Sequence, residues 1–190
     1  MAKRSNFERR ARGFYRTPRE AVKPLLPHLA ACSFFDEPCA GDGALIAALE
    51  EFGHTCGYAC DIEPQNERIS REDARNLVYS SSGLIITNPP WPEGGKRGNP
   101  TVEIAQHLKS IADTWLLLPA DFLHCLYFTR SGLFSCCDRI VSVGRVSWEG
   151  NGVKGKDNAA WYLFLKDGHS RDAPLAFGLQ HQFLTEDKGV

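Results

Sequence analysis

The sequence predicts an α/β domain: a doubly wound, mostly parallel sheet that closes with a terminal antiparallel strand pair. Three observations carry this expectation. Short apolar runs, led by GLIIT at 83–87 and TWLLLPA at 114–120, alternate with segments whose apolar residues recur at helical spacing. Strands alternating with helices build parallel sheets with helices on both faces. The last two apolar runs are joined only by a loop, NGVKGKD at 151–157, which suits an antiparallel edge. A chain of 190 residues is long enough for one such domain with a real core.

The elements are expected in this order. Residues 17–31 form a helix with Thr17 as N-cap and Pro18 at its first position, shortened or kinked by Pro24 and Pro27. SFFDEP at 33–38 is a strand, the turn CAGDG follows, and ALIAALEEFG at 44–53 is a helix closed by Gly53. TCGYACDI at 55–62 is a strand ending at Asp61, followed by a polar stretch, 64–77, and then by the strand at 83–87. TVEIAQHLKSIAD at 101–113 is an amphipathic helix, 114–120 a buried strand, and DFLHCLYFTRSGLF at 121–134 a further helix. Strands within 138–150 and 158–166 complete the sheet. No repeat or second domain is apparent; residues 1–16 form a basic arm, 17–166 the domain and 167–190 a polar tail.

Charge and cysteine usage exclude several classes. No apolar run approaches the roughly 20 residues of a membrane helix, and the charged start MAKRSNFERR lacks the apolar stretch of a secretory signal. Seven cysteines without a Cys-x-x-Cys pair argue against a zinc ribbon or a disulfide scaffold, and predict reduced thiols in the cytoplasm and no metal site. The net charge of -1 discourages a polyanionic partner only until the charges are located. Lys3, Arg4, Arg9, Arg10, Arg12, Arg16, Arg19 and Lys23 crowd the first 24 residues against Glu8 and Glu20 alone. Lys96, Arg97, Lys154 and Lys156 sit in glycine-rich loops. A solvated arm accounts for the first cluster as well as a phosphate-contacting strip does, unless the domain handles nucleic acid.

Ligands of open parallel sheets sit beyond the carboxyl ends of the strands. Three of those ends carry unusual residues. Glu37-Pro38-Cys39-Ala40-Gly41-Asp42-Gly43 has two glycines that let the backbone turn sharply beside a ligand, ahead of a helix N-terminus. Taken alone, this is as readily a tight strand-to-helix turn. Asp61 ends the next strand about 20 residues later, the spacing of a carboxylate that accepts ribose hydroxyls. Together they point to an adenosine-containing cofactor. The position that would complete the dinucleotide fingerprint is Ile46 rather than glycine, which favours a mononucleoside over a nicotinamide dinucleotide. At the third end, Thr87-Asn88-Pro89-Pro90-Trp91, two prolines remove backbone donors and stiffen the chain, presenting the Asn88 amide and the Pro89 carbonyl with Trp91 nearby.

The order of these parts resembles the class I S-adenosylmethionine-dependent methyltransferases, and within them the amino-methyltransferases with an Asn-Pro-Pro-aromatic motif, notably the gamma-class adenine-N6 DNA enzymes. The resemblance runs from about Tyr15 to about Leu165 and implies their Rossmann-like fold and S-adenosylmethionine as cofactor. By that likeness Tyr15 and Thr17 belong to the N-terminal cofactor motif, and Glu37, Pro38, Cys39, Ala40, Gly41 and Gly43 to the glycine loop. Asp61 with Ile62 takes the ribose, Asp73-Ala74 flanks the adenine, and Asn88, Pro89, Pro90 and Trp91 form the catalytic motif, with Asn88 also counted among the cofactor-binding residues. The glycine loop and NPPW are the specific matches; the two ends are loose.

The chemistry suits these residue types. Methyl transfer to an amine is an in-line displacement in which positioning supplies much of the acceleration. If the Asn88 oxygen and the Pro89 carbonyl both accept from an exocyclic amine, they align its nitrogen and favour the charge developing there. Trp91 would stack on the base, worth about 1–3 kcal/mol, and a base in a duplex would first be flipped out. Phe122 and Trp148 are further candidates for the base pocket, with core packing as the alternative for each. Lys96, Arg97, Arg12 and Arg16 are candidates for the phosphates. The resemblance leaves adenine in DNA, adenine in RNA, cytosine N4 and a protein glutamine amide open; the tryptophan favours a nucleobase over the glutamine amide, the basic arm favours nucleic acid, and adenine N6 in DNA is the first expectation. Nothing is long enough for a target-recognition domain, so a protein partner for recognition is one expectation. A non-catalytic cofactor-binding subunit is the reading from another class.

Overall fold

The computed structural model describes residues 15–91, 99–148, 150–155, 157–169 and 176–178. Eight strands form its sheet: β1 (Phe34–Glu37), β2 (Thr55–Asp61), β3 (Ser70–Arg71), β4 (Leu84–Thr87), β5 (Asp113–Pro119), β6 (Cys137–Gly144), β7 (Ala159–Phe164) and β8 (Ala176–Gly178). Their spatial order is β3-β2-β1-β4-β5-β7-β6-β8. β1, β2, β3, β4 and β5 pair in parallel. β7 runs antiparallel between β5 and β6, which is the expected terminal pair. The strand order reverses between β1 and β4, and in such sheets a crevice opens at the reversal.

The buried strands obey the period-2 rule on both faces. Along β5, Leu116 and Leu118 pack into one apolar cluster, while Trp115 and Leu117 pack into the other. In β7, Tyr162 and Phe164 join the first cluster, and Ala159 and Trp161 the second. Helix α1 (Arg19–Val22) and helix α2 (Ala44–Glu50) cover the second face through Ala21, Leu45 and Leu49. The first is covered by α3 (Pro100–Ile111), α4 (Leu126–Arg130) and α5 (Leu133–Cys136) through Leu108, Phe128 and Leu133. This is the doubly wound layering that the alternating runs imply.

Elements differ from expectation where glycine and proline act. Thr17 does not cap a long helix: α1 begins after Pro18 with no side-chain cap and ends at Val22. Pro24 and Pro27 leave only a 3-10 turn, Leu26–His28, beyond it. Gly53, at φ 84°, ends α2 as expected. Its N–H reaches the Glu50 carbonyl and that of His54 the Leu49 carbonyl, a two-bond αL stop. The helix expected over 121–134 is three pieces, a 3-10 turn at Ala120–His124, then α4 and α5, with Gly132 at φ 78° between the last two. The polar stretch contributes β3 and a 3-10 turn at Ala74–Asn76. The polar tail contributes β8, parallel to β6 at the sheet edge.

Candidate functional site

The glycine loop leaves β1 at Glu37 and turns into α2. Gly41 and Gly43 hold φ values of 55° and 86°, which side-chain-bearing residues rarely adopt. The turn is closed by the Gly43 N–H on the Ala40 carbonyl (2.7 Å), and docked on β2 by the Ala40 N–H on the Cys60 carbonyl (2.9 Å). Asp61 completes the docking: one carboxylate oxygen accepts from the Gly41 N–H (2.9 Å), the other from that of Glu63 (2.7 Å). An ionised carboxylate has about four acceptor positions, so Asp61 keeps capacity for a further donor. Asp42 accepts from the Ala44 N–H (3.0 Å) and pairs with Arg16 (3.0 Å).

Beside the loop lie groups that the described residues leave unmet. Glu37 is 2% exposed, and its Oε2 has no hydrogen-bond partner among the described residues. Burial, then the charges of Asp61 and Asp42, push its carboxyl well above the ordinary range. The buried Thr87 hydroxyl, one strand over, also lacks a hydrogen bond of sound geometry, although the Cys39 thiol lies against it. Burial and the Asp61 charge raise that thiol as well, so Cys39 is an inert neutral group. Leaving a buried polar atom unpaired costs about 1–3 kcal/mol. A pair of such atoms beside a glycine turn fits a bound group that brings hydrogen-bonding atoms of its own.

The end of β4 carries the second half of the site. The Asn88 Nδ2 donates to the Tyr15 carbonyl (3.2 Å) and to the Thr17 hydroxyl (3.1 Å). Its Oδ1 accepts from the Trp91 indole N–H (3.2 Å), which also donates to the Leu117 carbonyl on β5 (3.0 Å). Next along the chain, the Thr101 hydroxyl donates to the Pro90 carbonyl (2.6 Å), bracing the two prolines from the start of α3. Trp91 and Trp148 meet edge to face, with centroids 5.1 Å apart, and Tyr15 meets Trp148 at 6.3 Å. The loop between β6 and β7 brings Trp148 there. The Ser147 N–H reaches the Glu20 carboxylate on α1 (2.7 Å), and the Gly155 N–H the Val146 carbonyl (2.9 Å). A Cβ on Gly155 would lie 3.0 Å from Trp148 Cδ1, so a residue without a side chain is what lets the loop close on the indole.

Most residues singled out in the sequence therefore gather at one end of the sheet, in two halves. Tyr15, Thr17, Asn88, Pro89, Pro90, Trp91 and Trp148 form one half; Glu37, Pro38, Cys39, Ala40, Gly41, Gly43 and Asp61 form the other. Ile62, beside Asp61, is 49% exposed. Asp73 caps the 3-10 turn that buries Ala74 in the core, and its carboxylate pairs with Arg75 (2.6 Å), whose hydrogen bonds hold it below the usual range. Phe122 is a correction: it is 1% exposed, with its ring packed among Phe128, Tyr127 and Tyr162, and it offers no surface to a base. Arg16 is not a free cation but is paired with Asp42 at the glycine loop. Arg12, Lys96 and Arg97 lie outside the described residues. Sequence reasoning missed Thr101, Glu20 and the Leu117 carbonyl. A Thr two residues past a helix-capping Asn was a weak available signal for the first, and a backbone acceptor leaves none.

No family model and no curated protein matches the chain. Solved structures do. The chain is similar to the modification subunit of a candidate type I restriction enzyme from Vibrio vulnificus (TM-score 0.59, 13% identity, 88% of this chain and 47% of that one). It is also similar to a candidate RNA methyltransferase from Pyrococcus horikoshii (0.58, 15%, 80% and 87%) and to a candidate class I S-adenosylmethionine-dependent methyltransferase from Listeria monocytogenes (0.53, 9%, 85% and 62%). The chain spans about half the length of the restriction-modification subunits it matches. Its fold is the Rossmann-like fold of the class I methyltransferases.

Proposed function

We propose that the chain is an S-adenosylmethionine-dependent N-methyltransferase whose acceptor is the exocyclic amine of a nucleobase, adenine N6 in DNA being the reading that the residues favour. The observation that carries it is the Asn88 amide. Its donor side is occupied by the Tyr15 carbonyl and Thr17, while its oxygen already accepts an N–H, that of Trp91. A carbonyl oxygen has two lone pairs, so the same atom can take a second N–H. The adjacent Pro89 carbonyl is the second acceptor of the motif. Together they hold an amine by its hydrogens, align its lone pair, and favour the positive charge that develops on nitrogen as the new bond forms. The proton released afterwards needs no strong base, because a methylated ammonium on an aromatic ring is acidic.

Glu37, the glycine-loop amides and Asp61 are the residues suited to the cofactor, with Tyr15, Ile62 and Asp73-Ala74 at its margins. The orphaned Glu37 oxygen beside the turn supports that assignment. When bound, S-adenosylmethionine supplies an electrophilic methyl on a sulfonium that is its own leaving group. The chain's part is to hold the amine beside it and exclude water. Trp91 and Trp148 give the site two aromatic rings against which an extruded base can lie. The basic N-terminal segment with Arg12, and the glycine-rich segment with Lys96 and Arg97, are the proposed phosphate contacts, acting in sequence-independent fashion. A protein partner then supplies target recognition, in line with the modification subunits that the fold resembles.

RNA as the acceptor is the second reading. It is favoured by the candidate RNA methyltransferase, of which the chain covers 87%, whereas it covers 47% of the type I restriction enzyme modification subunit. The test is transfer of labelled methyl to DNA, RNA and protein pools, followed by nucleoside mass spectrometry. N6-methyladenine in DNA is the expected product. Label in RNA alone selects the second reading, label in protein alone overturns the substrate class, and absence of both transfer and cofactor binding overturns the enzyme.

A further inference from the structure

The three hydrogen bonds on Asn88 do more than seat it. We infer that Thr17 and Trp91 are positioning residues that lock the Asn88 amide with its oxygen, and not its NH2, toward the acceptor substrate; this rests on the functional reading above. The two ends of a side-chain amide differ only in hydrogen-bond polarity, and two of the partners here have fixed polarity. The Tyr15 carbonyl can only accept and the Trp91 indole N–H can only donate. Turning the amide by 180° would set oxygen against the Tyr15 carbonyl and an N–H against the indole N–H.

The Thr17 hydroxyl completes the lock. With it, both Nδ2 hydrogens have acceptors, Tyr15 at 3.2 Å and Thr17 at 3.1 Å, and Thr17 is itself buried. All remaining capacity of the amide is then acceptor capacity. A substrate atom must bring hydrogen to this site: an exocyclic amine or a primary amide is taken, and a bare ring nitrogen or a carbonyl oxygen is refused. This is a specificity that Thr17 sets through Asn88 without touching the substrate.

Trp91 works from the other side. Its indole N–H bridges Asn88 Oδ1 and the Leu117 carbonyl, so it ties the amide to β5 while its ring packs on Trp148. A ring that served only as a stacking surface would be replaceable by phenylalanine. A ring that positions through its N–H would not.

The test has two arms. In 15N-labelled wild-type protein, the Asn88 Nδ2 and Trp91 indole hydrogens should exchange with solvent at least about tenfold more slowly than free side chains, and Thr17→Val should release the Asn88 hydrogens while Thr17→Ser keeps them protected. In kinetics at saturating cofactor, Thr17→Val and Trp91→Phe should each lower kcat by about tenfold or more, and Thr17→Ser should restore most of the loss. Unprotected Asn88 hydrogens in the wild type, or unchanged kcat in both Thr17→Val and Trp91→Phe, overturn the inference. If the wild type transfers methyl to no pool yet shows the protected hydrogens and their release in Thr17→Val, the lock stands and the functional reading falls.

Discussion

Asp36 and Glu37 are neighbours on β1, and both are buried, at 1% and 2% exposed. Their surroundings could hardly differ more. Asp36 accepts from the Ser80 hydroxyl (2.7 Å), the Ser81 N–H (2.7 Å) and the Ser81 hydroxyl (2.8 Å), so its carboxylate fastens the serine turn that leads into β4. Gly57 opposite leaves room for it, since a Cβ there would stand 3.1 Å from both Asp36 Oδ1 and Ser81 Oγ. Glu37, one residue on and facing the other way along the pleat, has an oxygen with no partner among the described residues. Asp36 is consumed in building the sheet, whereas a Glu37 oxygen, at the end of the sheet where the candidate site lies, has no donor among the described residues. Burial alone does not tell structure from function; the balance of donors around the buried group does.

The two acidic residues should answer substitution in opposite ways. The largest effect is expected at Asp36→Ala, which strands the serine donors and should lower unfolding free energy by about 3 kcal/mol or more, read from urea denaturation. Equal stability would mean that the serine turn is fastened elsewhere. Glu37→Gln should do the reverse: stability held or raised, with S-adenosylmethionine affinity reduced about tenfold in calorimetry, a loss of about 1.4 kcal/mol. If cofactor affinity does not change, Glu37 is not the waiting group.

Glu37 also gives a pH signature. Its carboxyl titrates higher in the folded chain than in the unfolded one, so between those two values the folded state binds more protons. Stability should therefore fall as pH rises from the ordinary glutamate range through the raised folded value, and Glu37→Gln should flatten that slope. Gly155→Ala, whose methyl would press on Trp148, should cut transfer roughly three- to tenfold, about 1 kcal/mol, while leaving the urea midpoint nearly in place. Arg16→Ala comes last. The Asp42 ion pair is 68% exposed on the arginine side, so stability should move by less than about 0.5 kcal/mol.

Much of the fold was legible because its signals are local. GLIIT and TWLLLP are short, apolar and bounded by turn residues, and they became β4 and β5. Gly41, Gly43 and Gly53 sit where the chain must take positive φ. What escaped depends on contacts distant in sequence. Thr17 looked like a helix cap, yet its hydroxyl serves Asn88, 71 residues away. Asp36 went unremarked because a serine run reads as an ordinary loop until the strand beside it is placed. Phe122 follows a strand end, where pocket and core readings compete, and the 3-10 turn there places it in the aromatic cluster of Phe128 and Tyr162. The Leu117 carbonyl that anchors Trp91 is backbone, and side-chain identity carries no trace of it.

The proposed role of the Asn88 oxygen is to hold a nucleobase amine for methyl transfer. It is tested most directly by incubating wild-type protein and Asn88→Ala with DNA and labelled S-adenosylmethionine, then quantifying methylated nucleosides by mass spectrometry. N6-methyladenine is expected from the wild type, with at least about a hundredfold less from Asn88→Ala and that variant still folded. Equal methylation by the two proteins, or product in neither DNA nor RNA while S-adenosylmethionine is bound, would contradict it.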